Sequence, residues 1–567
     1  MSSMNWNRLG LGLVLVAGPS HAQTVVRSFV GLAQHDNLGF SIANCGDLDG
    51  DSVNDIALGA PGAGGFGALY VYSSATGAQL FSVVPSSPTI GVYGCAVAAA
   101  GDVDGDGVGD VLVGAIGDFF NAAAPTRVEV RSGAGGALLR VLLGSSGSFF
   151  GKSIVNLGDW NGDGRAEFAV AAPDMDIGGT DSGSVYVYDG DPAIAVPLFR
   201  VDGPTTGSYL GWAIALVGDI NRDGAPDFAA GMPRHPYGAT YPLGRVNFYS
   251  GESGEVLRWI DGPLNGTFGT GFGGALANVG DIDGDGLSDL LVGAPYFGVV
   301  PTPSSNEGLS RIYSIADDSV LFEVIGEEPE VRLGETVGAL GDLDGDGVSE
   351  FNVSGVQGQD ALIYSGRTRQ LLFTIAGNFL SDVGFASCAM GDIDGDGLGD
   401  FAISDPGYQQ GRGRVRIFAT GAGNVTSYCS TGTTSNGCEP KLIAIGNPSA
   451  SSATSFEIAI SGLEGQKPGL LFYGVSGPKL APWGSTSSSM CVRAPLQRTV
   501  FTFPSGTTDS CDGVYRLDWN AYIAAHANAL GMPFATGDQV WAQGWFRDPP
   551  SSKKTSLTNA LTFVFAP

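Results

Sequence analysis

Positively charged side chains are scarce in this sequence. Lys and Arg number 28 against 57 Asp and Glu, which leaves a net charge of −29. That deficit excludes nucleic acid as a ligand class, because phosphate recognition needs clustered cations. Charge of either sign is sparse at 15% of residues, yet hydrophobic residues reach 43%, too many for a disordered chain. Histidines number only 4, and none of His35, His235 or His526 sits in a metalloprotease helix motif or a nucleophile turn. Beyond the N-terminal segment, no stretch approaches the ~20 apolar residues that span a bilayer.

Glycine is in excess, with 90 residues and no Gly-X-Y period. Together with abundant Val, Ile, Phe and Tyr, this predicts short strands joined by tight turns, an all-β protein. The 567 residues exceed what one core of about 250–300 residues accommodates, so more than one domain is expected. Residues 1–22 read as a signal peptide: Arg8 supplies the positive end, Leu9 to Ala17 the apolar run, and Ser20-His21-Ala22 the cleavage site. The expectation is a secreted, extracellular or cell-surface protein.

One pattern, Gly-Asp-x-Asp/Asn-x-Asp-x-x-x-Asp/Glu, recurs seven times, starting at Asp47, Asp102, Asp159, Asp219, Asp281, Asp342 and Asp392, with intervals of 50–62 residues. Periods of this size mark a repeat architecture. Each unit opens on a Gly-containing segment such as Leu38-Gly39-Phe40-Ser41, continues through the acidic loop, and runs into an apolar strand ending in Gly-Ala-Pro or a relative of it; repeat two has Gly114-Ala115-Ile116 and repeat six Ser354-Gly355-Val356. An alternating strand and a last strand follow, four in all, the size of a propeller blade. The seventh unit lacks its fourth strand, and residues 26–30 at the start of the chain match it. A ring closed by that strand leaves no long edge exposed; a solenoid is the competing arrangement.

Leu38-Gly39-Phe40 with Gly59-Ala60-Pro61, and Gly271-Phe272-Gly273 with Gly293-Ala294-Pro295, resemble the FG-GAP repeats of the integrin α-subunit propeller and its bacterial relatives. The resemblance covers residues 24–420. It implies a seven-bladed β-propeller, a role in cell adhesion, and a partner-binding face opposite the acidic loops.

The acidic loops present oxygen ligands at positions 1, 3, 5 and 9, with the carbonyl of position 7 completing a cage. In chain order these are Asp47, Asp49, Asp51, Val53 and Asp55; Asp102, Asp104, Asp106, Val108 and Asp110; Asp159, Asn161, Asp163, Arg165 and Glu167; and Asp219, Asn221, Asp223, Ala225 and Asp227. The last three are Asp281, Asp283, Asp285, Leu287 and Asp289; Asp342, Asp344, Asp346, Val348 and Glu350; and Asp392, Asp394, Asp396, Leu398 and Asp400. Six to eight oxygens with no nitrogen or sulfur suit calcium, so up to seven structural Ca2+ ions are expected, with magnesium as the alternative. Loops three and four, each with an amide in place of one carboxylate, are expected to bind most weakly.

Loop length varies at the opposite end. The aromatic and basic residues there, Phe119, Phe120, Tyr209, Trp212, Arg234, His235, Tyr237, Tyr241, Tyr296 and Phe297, are candidates for contacting an extracellular protein or glycan. The alternative is a polysaccharide-active enzyme (lyase or hydrolase) or a phospholipase, which predicts Lys, Arg, His or Tyr converging on an acid at the central channel; no catalytic residue is assigned.

Residues 421–427 read as a linker and 428–567 as a smaller β-sandwich-like accessory domain. Strands are expected at 441–445, 455–460, 470–473, 499–503 and 561–565, with a helix over 519–530 capped by Asp518. Cys429, Cys438, Cys491 and Cys511 suggest disulfides, with 429–438 and 491–511 favoured among three pairings. Cys45, Cys95 and Cys388 fall in first strands, where a small buried residue fits; a Cys45–Cys388 bridge across the ring seam is the other reading. Trp541, Trp545, Phe546 and Arg547 form an aromatic cluster whose default role is packing.

Overall fold

The structure is a computed structural model. It describes residues 23–565 except 87–91, 118–124, 195, 238–240, 265–268, 299–305, 357–359, 378–380, 395–397, 421–424, 429–433, 435–436, 439, 446–447, 449–455, 484–487, 500–504, 506–509, 512, 536–537 and 549–554. The chain separates into two compact units, Gln23–Gly421 and the residues from Ala422 onward.

Seven four-stranded antiparallel sheets make up the first unit. Blade one runs Ser41–Asn44, Ile56–Ala60, Ala68–Tyr72 and Gln79–Val83; blade five runs Ala275–Gly280, Asp289–Ala294, Leu309–Tyr313 and Val320–Ile325. Blade seven combines Ser387–Gly391, Asp400–Asp405 and Arg414–Thr420 with Gln23–Val30, which pairs antiparallel to Arg414–Thr420 from Gln23↔Thr420 to Val30↔Arg414. First strands of successive blades lie side by side around the whole circuit, including Ser41–Asn44 against Ser387–Gly391. The ring is therefore closed, a seven-bladed β-propeller rather than a solenoid.

Burial follows strand position. Second strands such as Asp289–Ala294 and Asp227–Met232 are buried at every residue, which is why they read as unbroken apolar runs. Outer strands such as Val256–Asp261 are mostly exposed or half-buried.

The Gly residues of the repeat signature meet between blades. A Cβ on Gly59 would lie 2.0 Å from the carbonyl oxygen of Gly94; on Gly231, 1.9 Å from that of Gly273; on Gly293, 2.0 Å from that of Gly334. The Gly of Gly-Ala-Pro, or of Gly231-Met232-Pro233, in one blade thus faces the Gly after the buried hydrophobic residue of the next. Only a residue without a side chain allows that approach. Parallel bridges repeat beside it at Gly67↔Tyr93, Gly183↔Leu210, Gly244↔Phe272, Gly308↔Leu333 and Leu38↔Gly413. At the ring seam Asn44 Nδ2 donates to the carbonyl of Ala389 at 3.0 Å. Cys45 and Cys388 are free thiols, so no bridge closes the seam.

The second unit packs a five-stranded sheet, ordered Val425–Tyr428, Thr555–Val564, Gln539–Arg547, Gly469–Gly474 and Gln497–Arg498, with a three-stranded sheet of Lys441–Ile445, Glu457–Leu463 and Gly513–Asp518. Its edge strand Val425–Tyr428 begins inside the segment read as a linker. Phe456, Ile460, Tyr473, Trp519 and Phe563 fill one core, a sandwich-like arrangement. The helix spans Trp519–Ala525, shorter than expected, and the Asp518 carboxylate caps it by accepting from Ala521 N at 2.9 Å. Of the strand expected at 499–503, residues 500–503 lie outside the described residues. Phe546 is core, and Trp541 and Trp545 pack beside Phe472 and Leu557.

The favoured cysteine pairing is corrected: Cys438 bonds to Cys511, with Cα atoms 5.5 Å apart across 73 residues of sequence. Closeness along the chain misled, because spatial approach is set by the sheets. Cys491 is also disulfide-bonded, and Cys429 lies outside the described residues.

Candidate functional site: acidic loops and an opposite cavity

Each acidic loop joins the first and second strands of a blade. Its first carboxylate gathers the turn around itself: Asp281 Oδ1 accepts from Gly284 N and Asp285 N, and Oδ2 from Gly286 N, at 2.6–3.1 Å. The same set recurs at Asp47, Asp102, Asp159 and Asp342. Positions 4 and 6 turn left-handed, as at Gly284 (φ +84) and Gly286 (φ +92). Ser52 (φ +71) and Arg222 (φ +64) hold that conformation with a side chain present. The motif leaves positions 4 and 6 open, although Gly fills each of them in six of the seven loops.

The ninth residue has a second task that sequence reasoning missed. Asp55 accepts from Leu48 N in its own loop and from Ser74 N in the turn between third and fourth strands. Asp110 holds Val103 N and Gly133 N, Asp227 holds Ile220 N and Gly251 N, and Asp400 holds Ile393 N and Thr420 N. In these blades the carboxylate fastens the acidic loop to the turn or strand end beside it. Burial pushes its pKa up, to about 6 for Asp55 and Asp110, about 7 for Asp289 and about 8 for Glu350; backbone donors oppose the shift and neighbouring loop acids add to it. A bound cation reverses such a penalty.

Among the described residues, carboxylate oxygens converge within 4.8 Å in five groups: Asp47, Asp49 and Asp55; Asp102, Asp104 and Asp110; Asp281, Asp283 and Asp285; Asp342, Asp344 and Glu350; Asp392, Asp394 and Asp400. Asp289 Oδ1 is buried with no hydrogen-bond partner among the described residues, beside its blade's group. An orphaned carboxylate oxygen next to three exposed acids fits a hard cation. In blades three and four the amides satisfy the acids instead: Asn161 Nδ2 donates to Glu167 Oε1 at 2.8 Å, and Asn221 Nδ2 to Asp223 Oδ2 at 2.7 Å. Asp396 lies outside the described residues.

At the other end of the strands, blades three to six enclose a cavity of about 600 Å³. Its lining includes Phe149, Lys152, Asp174, Tyr209, Trp212, Arg234, Tyr296 and Glu335. Four of these, Tyr209, Trp212, Arg234 and Tyr296, are ligand-face candidates from the sequence. The other four were missed, although the repeat phase marks them. Phe149 and Tyr209 precede the hydrophobic-Gly pair, Lys152, Trp212 and Glu335 follow it, and Asp174, Arg234 and Tyr296 follow the Pro. Phe149 (φ +53) and Tyr209 (φ +58) are left-handed.

Cations sit over the rings: Lys152 Nζ is 5.4 Å from the Trp212 centroid, Arg234 5.3 Å from Tyr209, and Arg332 5.4 Å from Tyr296. Burial raises the pKa of Asp174 to about 6, with Asp181 and Asp176 adding to it, and burial also raises that of Glu335 against the pull of Arg332 and Lys152. Burial lowers the pKa of Lys152.

His235 is buried at 8% exposure, with Nδ1 unpaired among the described residues, and Phe297 packs into a blade core. Phe119 and Phe120, and the side chains of Tyr237 and Tyr241, lie outside what is described.

A model of the FG-GAP repeat matches residues 38–72, 150–188 and 272–314. Among curated proteins, integrin alpha-IIb of Mus musculus is 36% identical over 157 residues, 26% of this chain and 15% of that protein. Integrin alpha-V of Gallus gallus is 31% identical over 244 residues, 41% of this chain and 21% of its own length. Integrin alpha-PS5 of Drosophila melanogaster is 35% identical over 159 residues, 26% of this chain and 15% of that protein. The matches span about a fifth or less of these relatives. No helix among the described residues is long and apolar enough to cross a membrane.

Proposed function

Since this chain carries FG-GAP repeats on an integrin-α-like propeller, we propose that it is a secreted or cell-surface adhesion module in which calcium rigidifies one end and the other end binds an extracellular ligand. The observation that supports calcium most strongly is the five-fold convergence of carboxylates, together with the unpartnered buried Asp289 Oδ1. Side chains at positions 1, 3, 5 and 9 and the carbonyl at position 7 would hold each ion. Calcium would neutralise acids that otherwise repel one another. It would also lock the loop that the ninth carboxylate ties to the neighbouring turn. Loops three and four, with amides closing on their acids, are the weakest binders.

Ligand binding belongs at the cavity end, where the exposed faces of Trp212 and Tyr296, 40% and 42% accessible, flank charged groups. A protein or glycan partner suits such a surface. Thermal melting with and without calcium, paired with a glycan and protein array, tests the reading; an unchanged melt together with an empty array would defeat it.

A polysaccharide-active enzyme is the second reading, favoured by Lys152, Tyr209, Arg234 and Tyr296 lining a cavity with Glu335 and Asp174. Release of shortened or unsaturated products from acidic polysaccharides would establish it, whereas retention without turnover returns the chain to binding.

A further inference from the structure

The cavity is open because blade five contributes no side chains at two positions of the repeat. Before and after the hydrophobic-Gly pair, blade three has Phe149 and Lys152, blade four has Tyr209 and Trp212, and blade five has Gly271 and Gly274. All six line the cavity. Gly274 has an ordinary backbone conformation, and a Cβ there would meet Gly271 O at 3.0 Å and Pro295 at 3.8 Å. Its φ lies outside the left-handed region, in contrast to Gly271 (φ +70), and the corresponding Lys152 and Trp212 carry side chains on the same turn, their N–H groups donating to Phe149 O and Tyr209 O. A side chain at 274 would occupy the space that Lys152, Trp212 and Glu335 surround.

The groups around that space call for three properties in one ligand. Lys152 and Arg234 offer positive charge, and both line the cavity. Trp212 and Tyr296 are exposed rings whose cationic neighbours, Lys152 and Arg332, occupy one direction of approach, leaving apolar ring surface for a flat aliphatic face. Glu335 Oε2 is buried and accepts no hydrogen bond among the described residues, so it needs a donor. Phosphate supplies charge but no stacking face. A neutral sugar leaves the cations unanswered, and an aspartate or glutamate side chain carries no hydroxyl for Glu335. A hexuronic acid residue has all three: a ring carboxylate, an apolar C–H face and hydroxyl donors.

Resting on the reading of this end as the ligand face, we propose that the cavity binds a uronic acid residue of an acidic polysaccharide. Lys152 and Arg234 engage the carboxylate, Trp212 and Tyr296 the ring face, and Glu335 a hydroxyl.

The test is titration calorimetry of the full chain in calcium buffer with oligomers of galacturonate, glucuronate and mannuronate, the carboxyl-reduced galacturonate oligomer, and polyglutamate. At least one uronate oligomer should bind. Carboxyl reduction and Lys152→Met should each weaken binding tenfold or more, Gly274→Phe should remove it, and Asp283→Ala should leave it intact, which separates the cavity from calcium bridging at the acidic loops. Melting temperature and calcium content monitor the fold; if Gly274→Phe does not fold, Gly274→Ala and Lys152→Met carry the comparison. Failure of every uronate oligomer, preference for polyglutamate, or uronate binding untouched by Gly274→Phe and Lys152→Met would overturn the assignment. If uronates fail while an array ligand is lost in Gly274→Phe, the ligand face stands and only the sugar is wrong. If array retention survives that variant, the ligand face falls too.

Discussion

The two ends of the propeller are built on the same strands and differ in how far their seven copies have diverged. At the acidic end one arrangement recurs among the described residues: in five blades a first carboxylate gathers three amides, and in several a ninth ties loop to turn. At the cavity end the same repeat position reads Phe40, Cys95, Lys152, Trp212, Gly274, Glu335 and Phe385 around the ring. Repetition suits a task that every blade must perform for its own stability. Divergence suits a single site shared among several blades, where each contributes a different group.

That contrast can be broken in several places. The largest effect should come from removing calcium. With the ion tenfold above its dissociation constant each site contributes about 1.4 kcal/mol, so losing several together should lower the melting temperature by about 10 °C or more, and added calcium should restore it. Next comes the contact between blades five and six: Gly293→Ala drives a Cβ into the Gly334 carbonyl and should cost about 1–3 kcal/mol, read by chemical denaturation. Asp283→Ala should lose one calcium per chain and about 1.4 kcal/mol in the same excess of calcium, whereas Asn221→Ala should lose neither; equal effects would erase the distinction between strong and weak loops. Ser52→Gly and Arg222→Gly should each relieve left-handed strain and stabilise by about 0.5–1 kcal/mol. Trp212→Ala, at the divergent end, should change stability by less than about 0.5 kcal/mol while abolishing ligand retention.

Much of the propeller was legible because its determinants are local. The acidic motif fixes a turn, the Gly-Ala-Pro marks the end of a buried strand, and their period counts the blades. The single-site features were not. Lys152, Asp174 and Glu335 are ordinary charged residues until the ring brings blades three to six together, and only their shared phase with Trp212 and Arg234 could have marked them. Cys438 and Cys511 meet through sheet pairing between segments far apart in sequence, which spacing does not encode. His235 looked like a surface residue because its loop is polar, yet its ring packs inward.

Equilibrium dialysis against radioactive calcium at millimolar concentration measures the central claim most directly. Five to seven ions per chain are expected, falling by one in Asp283→Ala. A chain that takes up no calcium under those conditions, and melts at the same temperature with and without chelator, would contradict it.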